Sequence, residues 1–239
     1  NKGIARISGD YVGWLNADDK YAPDALWTLV RAIPEQVDPD LIAVRCEVFE
    51  VVDDAERVHE TLEFTPAEKF RRGEITHDAV CLNGCLFHND FLKRVGELDE
   101  SLDYNGDLKY LIQIAATEPT VAETTDVVYR YRQHEGSLTF NDADTFETVK
   151  GENLRDSRQF MREYMRQSDL PAPLSGYCHR EFRARSGALL LGYLKRLQMG
   201  RALTVTVDTF RSDPGWVVWL VSQVFPRMYN RLKRARGGH

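Results

Sequence analysis

The stretch from Tyr11 to Asp19, Tyr-Val-Gly-Trp-Leu-Asn-Ala-Asp-Asp, runs from an apolar segment with the pattern of a buried strand, Tyr11 to Leu15, straight into two adjacent carboxylates. A strand that stops in negative charge needs a partner for it, because burying an unpaired carboxylate is costly. In open α/β sheets, ligands bind beyond the carboxyl ends of strands. Two carboxylates placed there can hold a hard divalent cation, which in turn holds phosphate oxygens. The local alternative is that Asp18 and Asp19 open a turn and cap the helix that begins near Pro23. Short acidic motifs recur by accident, so this segment alone leaves both readings open.

The pattern around it alternates helix and strand. A helix through Ile7 is followed by the strand at Tyr11, a helix over Pro23 to Ile33 and a β-branched strand over Leu41 to Val52, which is the rhythm of an α/β domain. Asp53-Asp54 reads as a turn, Val58 to Phe64 as a strand, Pro66 to Arg72 as a helix and Val80 to Phe87 as a strand. Asn89 to Val95 reads as a helix closed by Gly96. An acidic loop with Asp99, Glu100, Asp103 and Asp107 leads into an apolar helix, Leu108 to Ala116, and Val127 to Tyr131 alternates as a strand. Beyond it, Asp144 to Met165 has helical periodicity, Pro171 to Gly176 reads as a linker, and Phe182 to Met199 and Ala202 to Phe210 predict packed helices.

Charge divides the chain. Residues 1–150 carry 15 Lys/Arg against 30 Asp/Glu, whereas residues 151–239 carry 16 against 7. The basic half faces something anionic or is simply a set of solvated helix faces. Basic residues scattered over helices, with no nucleic-acid module, argue against nucleic acid. Cys46, Cys81, Cys85 and Cys178 lack the His spacing of a zinc site and read as buried thiols in a reducing compartment. The opening Asn1-Lys-Gly-Ile has no secretion-signal character, and the expectation is a segment cut from a longer chain.

Trp216 to Phe225 is apolar and is followed by Arg227, Arg231, Lys233, Arg234 and Arg236, with no acidic residue after Asp213. Ten residues cannot span a bilayer. They fit its interface, with the two tryptophans at headgroup depth and the basic tail on anionic lipid. They fit equally a helix docked on its own domain.

Further segments change the weight of the acidic pair. Asn83 to Glu100 gives a strand, a short helix and an acidic turn, Asn105-Gly-Asp107 opens a helix with a carboxylate, and Tyr129 to Ser137 ends a strand in Arg, His and Ser. With Asn1-Lys-Gly-Ile and Asn-Ala-Asp-Asp, this order and spacing over residues 1 to about 140 resembles the family 2 glycosyltransferases. The resemblance implies a GT-A-like, Rossmann-like mixed sheet flanked by helices. Residues 1–140 would be a partial GT-A domain lacking its N-terminal nucleotide-binding strands, so that nucleotide binds weakly. Residues 141–239 would be a helical C-terminal extension with an amphipathic basic tail.

The resemblance also implies roles. Asp18 and Arg132 would bind the nucleotide-sugar donor, Asp19 and His134 would hold Mg2+ or Mn2+, and Asp107 would be the general base of an inverting hexosyl transfer. Trp14 and Asn16 read as structural. The partners would be a nucleotide sugar, a glycan or lipid-linked acceptor and an anionic membrane surface. The setting would be surface polysaccharide synthesis, cytoplasmic and peripheral on the inner face of the plasma membrane. Lys109 and Gln113 stand where the family prefers an acid and an arginine. They favour the alternative, a non-catalytic membrane-peripheral module that keeps the fold.

Overall fold

Leu41 to Val52 is a β-branched run that forms a strand of 12 residues, and the sheet is built around it. The computed structural model describes residues 1–35, 38–62, 66–75, 82–102, 105–134 and 149–223. Contacts divide the chain into two units, Asn1–Asp144 with Asp169–Tyr177, and Thr145–Ser168 with Cys178–His239.

In the first unit, a 3-10 turn at Ile4–Arg6 precedes β1 (Tyr11–Gly13), β2 (Lys20–Tyr21) and α1 (Ala25–Arg31). Then come β3 (Leu41–Val52), β4 (Ala55–Leu62), α2 (Pro66–Arg72), β5 (Cys85–His88), α3 (Asn89–Val95), α4 (Gly106–Ala116) and β6 (Val121–Arg132). The sheet is mixed. Its order is β1-β5-β3-β6-β2, with β4 also on β3. β3 runs parallel to β6 along its length and antiparallel to β5 at its start and β4 at its end. The β3–β4 hairpin turns on Asp53 and Asp54, both at positive φ, the backbone that a two-residue loop needs to match strand twist.

β3 is buried from Leu41 to Val44, as expected of a strand covered on both faces. On one face Ile42, Val44, Cys46, Leu86 and Val128 pack with Ala25 and Leu29 of α1. Phe87, which alternates with Leu86 along β5 and so points to the other face, meets the Trp14 ring at 4.9 Å. The free thiols of Cys46, Cys85 and Cys178 are buried, and burial pushes the Cys178 thiol up to about 12.

The second unit is helical. α5 (Val149–Tyr164), α6 (Ala172–Lys195) from Cys178 onward, α7 (Met199–Ser212) and helical residues 216–223 supply it. Leu189, Tyr193 and Ala202 form an apolar cluster with Leu154, Leu190 and Val205. A polar seam lies beside it. Arg158 donates to Ser186 Oγ at 2.8 Å, to Asp208 at 2.6 Å and to Thr209 Oγ1 at 3.0 Å, while Arg162 donates to both Asp208 oxygens at 2.9 Å.

Three expectations change. Pro171 to Gly176 is not a linker, because α6 starts at Ala172 and Pro173 lies in its first turn, where no amide hydrogen is required. β6 begins at Val121 rather than Val127, its early polar residues tolerated by parallel pairing with β3. Trp216 is not at a surface: it is 1% exposed, and its indole donates to the Arg183 carbonyl at 3.1 Å. Expectations on Phe64, Val80, Cys81, Asp103, Gly136, Ser137, residues 144–148, Phe225 and the basic tail lie outside the described residues.

Candidate active site

The two-residue strand β2 positions the acidic pair. Lys20 lies opposite Arg130 and Tyr21 opposite Tyr129 on β6, so the residues just before β2 meet the chain just leaving β6. β1 ends at Gly13, short of the Leu15 expected, and Asp18 lies within a turn that Asp19 closes, its amide donating to the Asn16 carbonyl at 3.2 Å.

Asp19 is anchored by the protein itself. One oxygen accepts from the Arg132 amide at 2.7 Å; the other accepts from Asn16 Nδ2 at 3.0 Å and from the Tyr129 hydroxyl. Tyr129 is fully buried, and the carboxylate supplies the partner its hydroxyl must have. Asp18 points elsewhere. Its carboxylate meets His134 Nε2 at 3.0 Å, with about half of the Asp18 side chain and a third of that of His134 exposed. The His134 hydrogen bond first, and the backbone at Asp18 next, hold this carboxyl below its ordinary range.

The structure therefore joins His134 to Asp18 and the Arg132 main chain to Asp19, a pairing that crosses the division of roles implied by the sequence. The donors suit a divalent ion: an oxygen and an imidazole nitrogen 3.0 Å apart span about the edge between neighbouring ligands of an octahedral ion with bonds of ~2.1 Å. Among the described residues no group of three or more His, Cys, Asp and Glu gathers. Mg2+ commonly takes one or two protein ligands and fills its shell with phosphate oxygens and water.

Asp107 stands on another element. It lies exposed in the first turn of α4, with an oxygen accepting from the Leu108 amide at 2.8 Å, where the helix dipole favours negative charge. Trp14, on the chain running from β1 to the acidic pair, reaches this helix: its ring lies 6.3 Å from that of Tyr110, one turn beyond Asp107. Lys109 turns to Asp99, Nζ to Oδ2 2.5 Å, and Asp99 also accepts from the Ser101 amide and hydroxyl. Lys109 and Ser101 together hold the Asp99 carboxyl far below the ordinary range. Gln113 Oε1 is buried without a hydrogen-bond partner among the described residues.

Sequence reasoning missed Tyr129 as the support of Asp19. The alternation Tyr129-Arg-Tyr-Arg132 marks a strand face, but nothing local says that Asp19 lies opposite its end. It missed also the network behind the pair, where Arg130 donates to Glu47 at 3.0 Å and Glu56 at 2.8 Å, and Lys20 binds Glu56.

A mixed sheet flanked by helices, with an acid–imidazole pair at its edge, has the form of a GT-A glycosyltransferase core. Residues 1–95 match the family described as Glycosyl transferase family 2. An uncharacterized glycosyltransferase of Rickettsia typhi is 25% identical over 146 residues, covering 58% of this chain and 44% of that relative's length. The chain is also similar in fold to TarS of S. aureus. A structure of TarS 1–349 in complex with UDP-GlcNAc has a TM-score of 0.54 at 12% identity, covering 90% of this chain and 70% of that one. A second structure of TarS 1–349 has a TM-score of 0.57 at 13% identity, covering 92% and 61%.

Proposed function

We propose that this chain carries the catalytic part of an inverting, metal-dependent glycosyltransferase, which moves a hexosyl group from a nucleotide sugar to a hydroxyl of a glycan or lipid-linked acceptor in surface polysaccharide synthesis. The observation that carries the reading is the Asp18–His134 pair, 3.0 Å apart beside the anchored Asp19. The UDP-GlcNAc in the TarS complex supports a nucleotide-sugar donor here. The protein would act on the cytoplasmic membrane face, its basic tail against anionic lipid. Among the described residues no helix is long and apolar enough to cross a membrane.

Asp107 accepts the proton of the acceptor hydroxyl as that oxygen attacks the anomeric carbon, because a neutral alcohol is a poor nucleophile. The bond to the diphosphate oxygen breaks on the opposite side, and direct displacement inverts the centre. Mg2+ or Mn2+ held by His134 with Asp18 or Asp19 would supply positive charge against the departing diphosphate. Arg132, whose amide holds Asp19 and whose side chain is exposed, adds a guanidinium for phosphate oxygens. Tyr129 and Asn16 keep Asp19 in one rotamer, so the pair is ordered before the donor arrives.

Asp107→Asn in the intact protein is expected to lower kcat by roughly 10²- to 10⁴-fold while donor affinity, read by calorimetry, stays near normal. Unchanged turnover removes Asp107 as the base. A non-catalytic module is the second reading, favoured by the Lys109–Asp99 ion pair in place of an acid after the base. Absence of transfer across a panel of nucleotide sugars, with wild-type protein that still binds them, would establish it.

A further inference from the structure

Most helices of a folded unit bury their apolar stripe, but α7 also shows one outward. Ala202 and Thr209 are buried, whereas Met199, Leu203, Val207 and Phe210, spaced four, four and three residues apart, are exposed, Leu203 by 65%. Just before them Leu197 is held out at positive φ, 84% exposed, a backbone that a branched apolar residue seldom adopts. Val218 and Val221, in residues 216–223, are exposed as well.

The charges around this surface share a sign. Asp208 and Asp213 are the only acids between Met199 and Gln223, and both are ion-paired, Asp208 with Arg158 and Arg162, Asp213 with Arg183 at 2.6 Å. Lys195, Arg196, Arg201 and Arg211 are exposed. Beside the stripe an open groove of about 460 Å³ is lined by Arg158, Thr204, Asp208 and Arg211 with Leu203 and Val207. Counting Arg162 on Asp208, three guanidiniums there stand against a single carboxylate.

We propose that Leu197 and the outward stripe of α7 dock in the headgroup region of an anionic bilayer, with a lipid phosphate over the Arg158–Arg211 groove. Exposed apolar side chains among like positive charges suit an interface of acyl chains and anionic headgroups. A second copy fits less well, since a two-fold contact sets the same surface against itself and would bring arginine against arginine. The inference rests on the peripheral reading above but places the contact on α7 rather than on the basic tail.

The test is co-sedimentation of the 239-residue chain with vesicles of phosphatidylcholine alone or mixed equally with phosphatidylglycerol. Wild type should bind only the anionic vesicles and release with salt. Leu203→Glu with Phe210→Glu, both outside the core, should weaken binding at least about tenfold with unchanged circular dichroism. A second variant lacking residues 224–239 separates the two readings. If its removal abolishes binding while the glutamate variant binds like wild type, the tail is the contact and this proposal falls. If the glutamate variant alone loses binding, the α7 surface stands without the tail. Equal binding by all three proteins, or a dimer in light scattering that the glutamates split without any vesicle binding, overturns it.

Discussion

At the level of single residues, the site depends on a side chain with no chemistry of its own to perform. The buried Tyr129 hydroxyl and the Asp19 carboxylate satisfy one another, so Tyr129→Phe leaves an acceptor short of a donor while keeping the ring's packing. The expected cost is about 1–3 kcal/mol by urea denaturation, with little change in secondary structure by circular dichroism. The roles given to Asp107 and the other site residues rest on the resemblance, but that Asp18 and Asp19 meet Arg132 and His134 was legible in the sequence, because several motifs stood in order. Which acid meets the imidazole was not. That depends on how Lys20 and Tyr21 register with Arg130 and Tyr129, and a two-residue strand carries no periodicity from which to infer pairing.

Among the elements, those bounded by clear turn or capping residues were legible, and those whose ends carry polar residues or prolines were not. β3, α2 and α3 begin and end where hydrophobic periodicity and turn residues put them. β1 is shorter than its apolar run, and the prolines at Pro171 and Pro173 misled because proline also suits the first turn of a helix. Gly73, which closes α2 at φ +65°, shows how tightly such ends are built: a Cβ there would lie 2.1 Å from the Pro173 carbonyl oxygen. Gly73→Ala is expected to cost on the order of 2 kcal/mol or more, seen as a lowered denaturation midpoint. Trp216, buried with its indole bonded to Arg183, anchors the helical residues 216–223. Trp216→Ala should lose about 3–5 kcal/mol, whereas Val218→Ala, 74% exposed, should be close to neutral.

On the scale of the molecule, carboxylates paired with arginine, lysine or backbone donors occur in each unit. Burial pushes Asp40, Asp208 and Asp213 up, but hydrogen bonds outweigh it: Thr120 and Arg94 for Asp40, Arg158 and Arg162 for Asp208, Arg183 and His179 for Asp213. All three lie below the ordinary value, so the unfolded chain binds protons first as pH falls. Their stabilisation is complete above the unfolded carboxylate range near pH 4 and is lost as pH drops through the lower folded values. Urea midpoints followed through acid should therefore fall below about pH 4, and a midpoint indifferent to acid would contradict these pairings. One consequence remains in the pairing of β2 with β6, which hangs Asp18 and Asp19 from one strand's beginning and Arg132 and His134 from the other's end. Deleting Val127 or Val128, just ahead of Tyr129 in β6, would turn Tyr129 to the opposite side of the sheet and carry the Arg132 amide out of reach of Asp19. Spacing, not only chemical identity, is thus what this site must inherit: a lost codon that removes no functional group would dismantle it as surely as the loss of an aspartate.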